Sequence, residues 1–288
     1  MERLKKAMEL ARAQRESIVG PSPGAPGDTA GKVRAIRAQT PKPLVDVKVD
    51  YTRTTSIPIN AKWLREQRII LSEGTDPFAD AYKVLRTHVL QRMRVNGWKT
   101  LAVTSPGIGN GKTVTAINLA ISLAREVNQT ILLVDLDLRR PSIGRYFVKG
   151  QTRGISDYLT GEAELADLLI NPGIERLVIL PGNDSFTDSS EMLSSPRVIQ
   201  LVDELKGRYQ DRLILFDMPP LLAGDDVIAF LPYLDAVMLV VEEGKVTSEE
   251  LQQAQNLLGE KKSMGIVLNK AEPGSAGVGY YRAATTTN

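Results

Sequence analysis

The stretch from Leu101 to Val114, LAVTSPGIGNGKTV, limits what this chain can fold into more than any other. Leu101, Ala102 and Val103 read as a short buried strand, Pro106 to Gly111 as a glycine-rich turn, and Lys112 onward as a helix. In that order they form a phosphate-binding loop: backbone N–H groups converge on phosphate oxygens, the helix presents its positive end, and a lysine adds a point charge. Lys112 is placed to reach the β- and γ-phosphates of a nucleotide, and the Thr113 hydroxyl to ligate Mg²⁺. The expected cradle runs from Gly107 through Gly109, Asn110, Gly111, Lys112 and Thr113 to Val114. The strict pattern G-x-x-x-x-G-K-[ST] asks for glycine where Pro106 stands, and the three glycines of the turn compensate by letting the backbone approach a ligand closely. Taken alone, the stretch also fits a glycine turn that merely precedes a lysine.

Two further apolar runs weigh against that plainer reading. Ile131 to Asp135, ILLVD, suits a central parallel strand covered on both faces, and it runs on into Asp137, Arg139, Arg140 and Pro141. Arg212 to Phe216, RLILF, ends in Asp217. Asp135, Asp137 and Asp217 thus all fall at strand ends, the edge of an α/β sheet where ligands bind. A carboxylate has little reason to interrupt a buried strand unless it meets a cation, a donor or solvent. Mg²⁺ beside a triphosphate takes one or two protein carboxylates, which leaves the third free to act as a base.

Further strands are expected at Arg176 to Leu180, Ala236 to Val241 and Gly265 to Leu268. Helices are expected over Asp76 to Arg94, capped by Asp76 with Pro77 first, over Thr113 to Val127, around Ile155 to Leu159 and Glu162 to Ile170, from Pro196 to Tyr209, and from Ser248 to Leu258. This alternation predicts a doubly wound, mostly parallel α/β sheet of the P-loop NTPase kind. The chain divides into an amphipathic basic helix at 1–18, a Gly- and Pro-rich flexible linker at 19–44, a globular P-loop domain at 45–272, and a flexible tail at 273–288. The first helix suits either anionic lipid or a partner, or a solvated arm. VDVKVDYTRTT, within the first part of the domain, alternates as a strand does but has no evident neighbour.

Several classes of function are excluded. With no cysteine there is no disulfide framework and no thiolate chemistry, a composition that fits a cytosolic protein. His88 is the only histidine, which rules out histidine-rich metal sites. A net charge of +2 makes no case for nucleic acid. The N-terminus lacks the apolar segment of a signal peptide, and the longest apolar runs are too short to span a bilayer, so any membrane association is expected to be peripheral.

Together, TSPGIGNGKT, ILLVDLDLRRP and LILFDMPP resemble the Walker A, Walker A′ and Walker B motifs of the bacterial tyrosine kinases of capsule and exopolysaccharide biosynthesis. The resemblance extends from about Asp76 to Lys270, through GISDYLTGE, SSEMLSSPRV and GIVLNK. It implies a protein-tyrosine autokinase that uses ATP and Mg²⁺. Lys112 would contact the phosphates, Thr113, Asp137 and Asp217 would arrange Mg²⁺, and Asp135 would accept the tyrosine proton. It also implies an activating partner, the cytoplasmic segment of a membrane-embedded polysaccharide chain-length regulator, which would hold the protein at the inner face of the plasma membrane.

The chain departs from the family pattern at three places. Ile108 and Asn110 stand where the family has proline and glutamate in the loop. The Glu-x-x-Arg-x-x-Arg helix that joins subunits in the family appears as Asp80, Lys83 and Arg86, and lysine lacks the bidentate fork of arginine. The C-terminal tyrosine cluster shrinks to Tyr280 and Tyr281, which suit phosphoacceptors or ordinary tail residues equally. An alternative is therefore a non-kinase P-loop ATPase, acting as switch or scaffold of the export complex. A partition or septum-site ATPase fits less well, because Gly107 stands where that group carries its extra lysine.

Overall fold

The structure, a computed structural model, describes residues 54–71, 77–126, 128–150, 152–207, 212–259 and 262–271. The N-terminal helix and linker, most of VDVKVDYTRTT, the Asp76 cap, and the tail with Tyr280 and Tyr281 lie outside them.

Eight strands form one sheet: β1 (Thr55–Ser56), β2 (Thr100–Thr104), β3 (Thr130–Asp135), β4 (Ile170–Asn171), β5 (Leu177–Leu180), β6 (Arg212–Asp217), β7 (Ala236–Glu242) and β8 (Ser263–Asn269). Their order across the sheet is β1-β4-β5-β3-β6-β2-β7-β8, and every pairing is parallel except β4 with β5. The crossover from β2 to β3 passes over β6, so β6 lies between the strand that feeds the glycine loop and the strand that ends in Asp135.

The central strands are buried along their whole length because both faces are covered. Alternate residues enter separate cores, as a pleat of period two requires. Leu101, Val103, Ile131, Leu133 and Leu215 pack with Val89 and Met93 of α2 (Pro77–Asn96) and with Ile117, Ala120 and Leu123 of α3 (Lys112–Ala124). Ala102, Leu132, Val134, Ile214 and Phe216 pack on the other side with Leu201 and Leu205 of α8 (Pro196–Gly207) and Phe230 of α9 (Asp226–Phe230). α8 is amphipathic in the ordinary way, burying Val198, Leu201, Val202 and Leu205 along one stripe. A reciprocal latch fixes the start of β2. Asp235 Oδ2 accepts from the backbone N–H of Lys99 and Thr100, at 2.8 and 2.9 Å, and Thr100 Oγ1 accepts from Asp235 N–H at 2.8 Å.

The remaining helices are α1 (Ala61–Glu66), α4 (Ile143–Phe147), α5 (Ile155–Thr160), α6 (Leu165–Leu168), α7 (Ser189–Leu193) and α10 (Ser248–Leu258). The helix expected over Glu162 to Ile170 is replaced by the short α6 followed at once by β4. Leu169 turns extended, Ile170 pairs with Ile179 of β5, and Pro172 disfavours the helical region for the residue before it. Of the alternating segment VDVKVDYTRTT, the described part contributes Thr55 to β1, beside β4 at one edge of the sheet.

Candidate active site at the carboxyl edge of the sheet

Three adjacent parallel strands deliver the site. Asp135, the last residue of β3, is the register partner of Asp217, the last residue of β6, and Asp217 is in turn level with Val103 of β2. From the end of β2 the chain runs through Ser105 to Gly111 into α3, whose first residues are Lys112 and Thr113. The three carboxylates, the lysine and the glycine loop, read from separate stretches of sequence, therefore meet at one edge.

The loop's conformation follows from where its carbonyls go. Ser105 and Pro106 carbonyls accept from Leu221 and Leu222 N–H, at 2.8 and 3.1 Å. The Gly107 carbonyl accepts from Ser105 Oγ and Asn110 Nδ2, both at 2.7 Å. Ile108, Gly109 and Asn110 carbonyls accept in turn from Lys245 Nζ, Lys270 Nζ and Asn269 Nδ2, at 3.0, 3.0 and 2.8 Å. The Gly111 carbonyl begins the helix by accepting from Thr115 N–H at 3.0 Å. Seven successive carbonyls are thus spent. The N–H groups of residues 107–111 donate to no acceptor among the described residues.

Unpaired backbone donors in a fold need a partner, and a turn of them at a helix start favours an anion. Gly109 and Gly111 adopt φ of +82° and +87°, which side-chain-bearing residues avoid, and a Cβ on Gly111 would fall 2.2 Å from Asn269 Nδ2. The residues present therefore fit a nucleotide phosphate chain.

Lys112 bridges two of the carboxylates. Its ammonium lies 2.8 Å from Asp137 and 3.2 Å from Asp217. Thr113 Oγ1 donates to Asp217 Oδ2 at 2.6 Å, and Ser142 Oγ stands 3.5 Å from Thr113 Oγ1. Asp135 has other partners: Oδ2 accepts from Ser142 and Ile143 N–H, at 2.7 and 2.8 Å, and Oδ1 from Asp137 N–H at 3.3 Å. Burial opposes the charge on Lys112, yet Asp217 and Asp137 together outweigh it and hold its pKa above the usual lysine value. Burial, reinforced by the neighbouring Asp217 charge, pushes Asp135 up to about 7 against its backbone hydrogen bonds. Burial also raises Asp217, opposed by Lys112 and Thr113.

Among the described residues no three acidic, histidine or cysteine side chains converge as a metal-binding group. Mg²⁺ here would rest on Thr113, a carboxylate and phosphate oxygens, the sparse protein ligation usual for this ion. The expected set of Thr113, Asp137 and Asp217 is gathered around the Lys112 ammonium, which is the cation those carboxylates hold in this structure.

Other residues at the site were not foreseen from sequence. Ser142 is one, presenting its N–H to Asp135; Asn269, Lys245 and Lys270 are others, tying the loop from behind. Lys270 ends the GIVLNK stretch, but nothing local in the sequence ties either lysine to the loop, since the contacts span more than a hundred residues. Tyr146, half-buried on α4, has its pKa raised by burial and by the nearby Asp217 charge, with Lys112 opposing. Arg139, next to the strand-end acids, points away to Asp226, which it meets at 3.0 Å. Of the helix signature residues, Asp80 and Lys83 pair with each other at 3.0 Å, whereas Arg86 donates to the Ser122 carbonyl and meets Glu126.

A doubly wound parallel sheet, a glycine loop opening a helix and carboxylates on the neighbouring strand ends define the class of P-loop nucleotide-binding folds. The family model described as an AAA domain matches residues 98–264. The tyrosine-protein kinase CpsD of Streptococcus pneumoniae serotype 4 is 31% identical over 177 residues, covering 60% of this chain and 77% of that protein. EpsB of Ralstonia nicotianae is 27% identical over 245 residues, covering 83% of this chain, and the chain spans 31% of that relative's length. The crystal structure of the VpsO kinase domain superposes with a TM-score of 0.60 at 30% identity, covering 66% of this chain and 93% of that domain. The chain belongs to the family of bacterial tyrosine-protein kinases of capsule and exopolysaccharide biosynthesis. No helix among the described residues is long and apolar enough to cross a membrane.

Proposed function

We propose that this chain is an ATP-dependent protein-tyrosine kinase that transfers the γ-phosphoryl group of ATP to tyrosine and thereby regulates polysaccharide synthesis and export. The observation that carries the reading is that every carbonyl from Ser105 to Gly111 is already hydrogen-bonded while the N–H groups of residues 107–111 are not, beside the Lys112, Asp137 and Asp217 cluster. Bound Mg²⁺·ATP would supply the transferable phosphoryl group and neutralise the charge that develops on it. The loop N–H groups and the α3 N-terminus would hold the phosphate chain, and Lys112, now paired with Asp137 and Asp217, would meet phosphate oxygens. Thr113, Asp137 and Asp217 would hold the cation. Asp135, held by Ser142 and Ile143 through Oδ2 and more loosely by Asp137 N–H through Oδ1, would receive the tyrosine proton on the remaining lone pair of Oδ1.

The acceptors in this reading are Tyr280 and Tyr281. Family membership supports an assembly with the cytoplasmic segment of a membrane-embedded chain-length regulator, and an oligomer through the helix bearing Asp80, Lys83 and Arg86. The test is incubation with γ-labelled ATP and Mg²⁺, followed by mapping of phosphotyrosine. Label is expected in the wild type, absent in Lys112→Met and reduced in the Tyr280→Phe, Tyr281→Phe double variant.

The short tyrosine supply of the tail favours a second reading, an ATPase switch or scaffold of the export complex. ATP turnover without phosphotyrosine, with the regulator segment present, would decide for it.

A further inference from the structure

The outer side of the glycine loop is fastened by a charged triad, of which Lys270 closes the GIVLNK stretch while Glu242 and Lys245 lie outside the quoted motifs. Lys245 follows β7, and its Nζ donates to the Ile108 carbonyl at 3.0 Å. Lys270 follows β8, and its Nζ donates to the Gly109 carbonyl, also at 3.0 Å. Glu242, at the end of β7, joins them, meeting Lys245 at 3.3 Å and Lys270 at 3.0 Å. The contact with Lys270, and Lys245 after it, hold the Glu242 carboxyl below its ordinary pKa, so Glu242 faces the two lysines as a carboxylate at neutral pH. Glu242 is tied to the loop a second time, its backbone N–H donating to Asn110 Oδ1 at 3.0 Å. The loop is shaped to receive the clamp: a Cβ at Gly109 would stand 2.9 Å from Lys245 Nζ.

Structural need alone does not explain two lysines here. Ile108 is well exposed, and water could satisfy its carbonyl. Lysine is an expensive choice for a neutral acceptor, since ordering its long side chain costs entropy. What a lysine adds is direction and charge. A peptide plane in a glycine loop is free to flip, and a flipped plane would aim a carbonyl at the phosphates and withdraw an N–H from them. Two cations behind the loop hold the planes at Ile108 and Gly109 in the orientation that presents N–H groups forward. They also raise the positive potential where phosphate arrives.

We infer that Lys245 and Lys270, bridged by Glu242, are positioning residues that preorganise the glycine loop for the nucleotide phosphates and so set nucleotide affinity. The inference rests on the reading of the loop as an ATP site.

The experiment uses the full chain with Mg²⁺·ATP. Variants are Lys245→Met, Lys270→Met, the double Met variant, the double Arg variant and Glu242→Gln. Equilibrium binding by calorimetry, the KM and kcat for ATP, and ligand-free melting temperature are measured for each. Each Met variant is expected to raise Kd and KM about five- to tenfold and the double variant more, with kcat within about twofold and melting little changed, the pattern of lost ground-state binding. The double Arg variant should recover most of the affinity, because guanidinium can donate to the same carbonyls. Glu242→Gln, which keeps both lysines, should weaken binding less than the double Met variant. Wild-type Kd in the double Met variant would overturn the clamp and leave the ATP site standing. Failure of the wild type to bind Mg²⁺·ATP would overturn both. A fall in kcat at unchanged Kd, or loss of binding only together with loss of the folded state, would also overturn the clamp.

Discussion

Asp135 and Asp217 are register partners on adjacent strands, both without solvent exposure, yet they are held by opposite kinds of group. Asp217 accepts from the side chains of Lys112 and Thr113, whereas Asp135 accepts from backbone N–H groups of Ser142, Ile143 and Asp137. Burial raises the pKa of both carboxyls, and at Asp217 the Lys112 ammonium and the Thr113 hydroxyl oppose the rise, whereas at Asp135 the main opposition comes from backbone N–H groups. That asymmetry suits a division of labour between a cation-holding acid and a proton-accepting one.

The first prediction concerns pH and Asp135. A base with its pKa pushed up to about 7 is protonated, and idle, on the acid side. Phosphotransfer kcat/KM should therefore rise with pH through about 7 and level off above it. Asp135→Asn should lower kcat by roughly 10²- to 10⁴-fold and remove that limb, while Mg²⁺·ATP binding persists. The same shift affects stability. The folded chain binds this proton more tightly than the unfolded one, so the stabilisation it gives is complete below the unfolded pKa and is lost as pH rises through about 7. Denaturation at several pH values should find Asp135→Asn gaining on the wild type from acid to neutral pH, with the gap constant above. A flat rate profile in an active wild type would remove Asp135 from the role.

Lys112 should matter for stability as well as for chemistry. Its side chain is 12% exposed and bridges Asp137 and Asp217, which expose 7% and 0% of theirs. Lys112→Met strands those carboxylates, and removing one partner of a buried ion pair costs about 3–5 kcal/mol when the other must stay charged. Protonation of Asp217, whose pKa burial already raises, offers an escape, so the loss should shrink at acid pH. Urea unfolding near pH 8 and near pH 5 checks this: the Met variant should close most of the gap to wild type at the lower value. Lys112 itself does not titrate in that window, because its pKa is raised.

At the opposite edge of the sheet, Asp235 holds the first residues of β2. Asp235→Ala leaves the N–H groups of Lys99 and Thr100 without their acceptor and should cost about 1–3 kcal/mol in chemical denaturation, most of it recovered by Asn. The carboxyl pKa is lowered, burial being outweighed by the two N–H groups and the Thr100 and Lys206 side chains. Its stabilisation is accordingly full above the unfolded pKa and disappears as pH falls through the folded one. The Ala and wild-type curves should converge only in strong acid.

What was legible in the sequence follows contact range. Leu101 to Thr104, Ile131 to Asp135 and Arg212 to Asp217 announce themselves because an uninterrupted apolar run of strand length suits a strand covered on both faces of an α/β sheet. Lys112, Thr113, Asp137 and Asp217 could be grouped because each sits at a strand end or a helix start, and a parallel sheet brings such ends to one edge. The two-residue strands β1 and β4 were illegible, since Thr55–Ser56 and Ile170–Asn171 have no periodicity to read and exist by pairing with distant chain. The hydrogen bond from Ser142 N–H to Asp135 spans only seven residues, and it was illegible because it depends on how the chain turns back after β3 rather than on any side-chain type. The donors behind the loop are more distant still. Lys245 and Lys270 look like ordinary surface lysines until β7 and β8 are laid beside β2, at which point their tips reach the loop carbonyls.

Asn110 gives the sharpest contrast between sequence and structure. By comparison with the family pattern it reads as a lost glutamate. In the structure it is almost fully buried, and it joins three parts of the site. Its Nδ2 donates to the Gly107 carbonyl, its Oδ1 accepts from Glu242 N–H, and its own carbonyl accepts from Asn269. The amide serves as donor and acceptor at once, which a carboxylate cannot do, so Asn110→Asp would set an acceptor against the Gly107 carbonyl at 2.7 Å. Leaving a buried partner unmatched costs about 1–3 kcal/mol, and here the strain falls on the loop that presents N–H groups to phosphate. Asn110→Asp should therefore weaken Mg²⁺·ATP binding by about tenfold or more. Asn110→Ala, which removes the clash but also the ties, should weaken it less. Calorimetric titration of both variants checks the order. Wild-type affinity in Asn110→Asp would show that the loop holds its shape without this residue, and that the donors from β7 and β8 suffice.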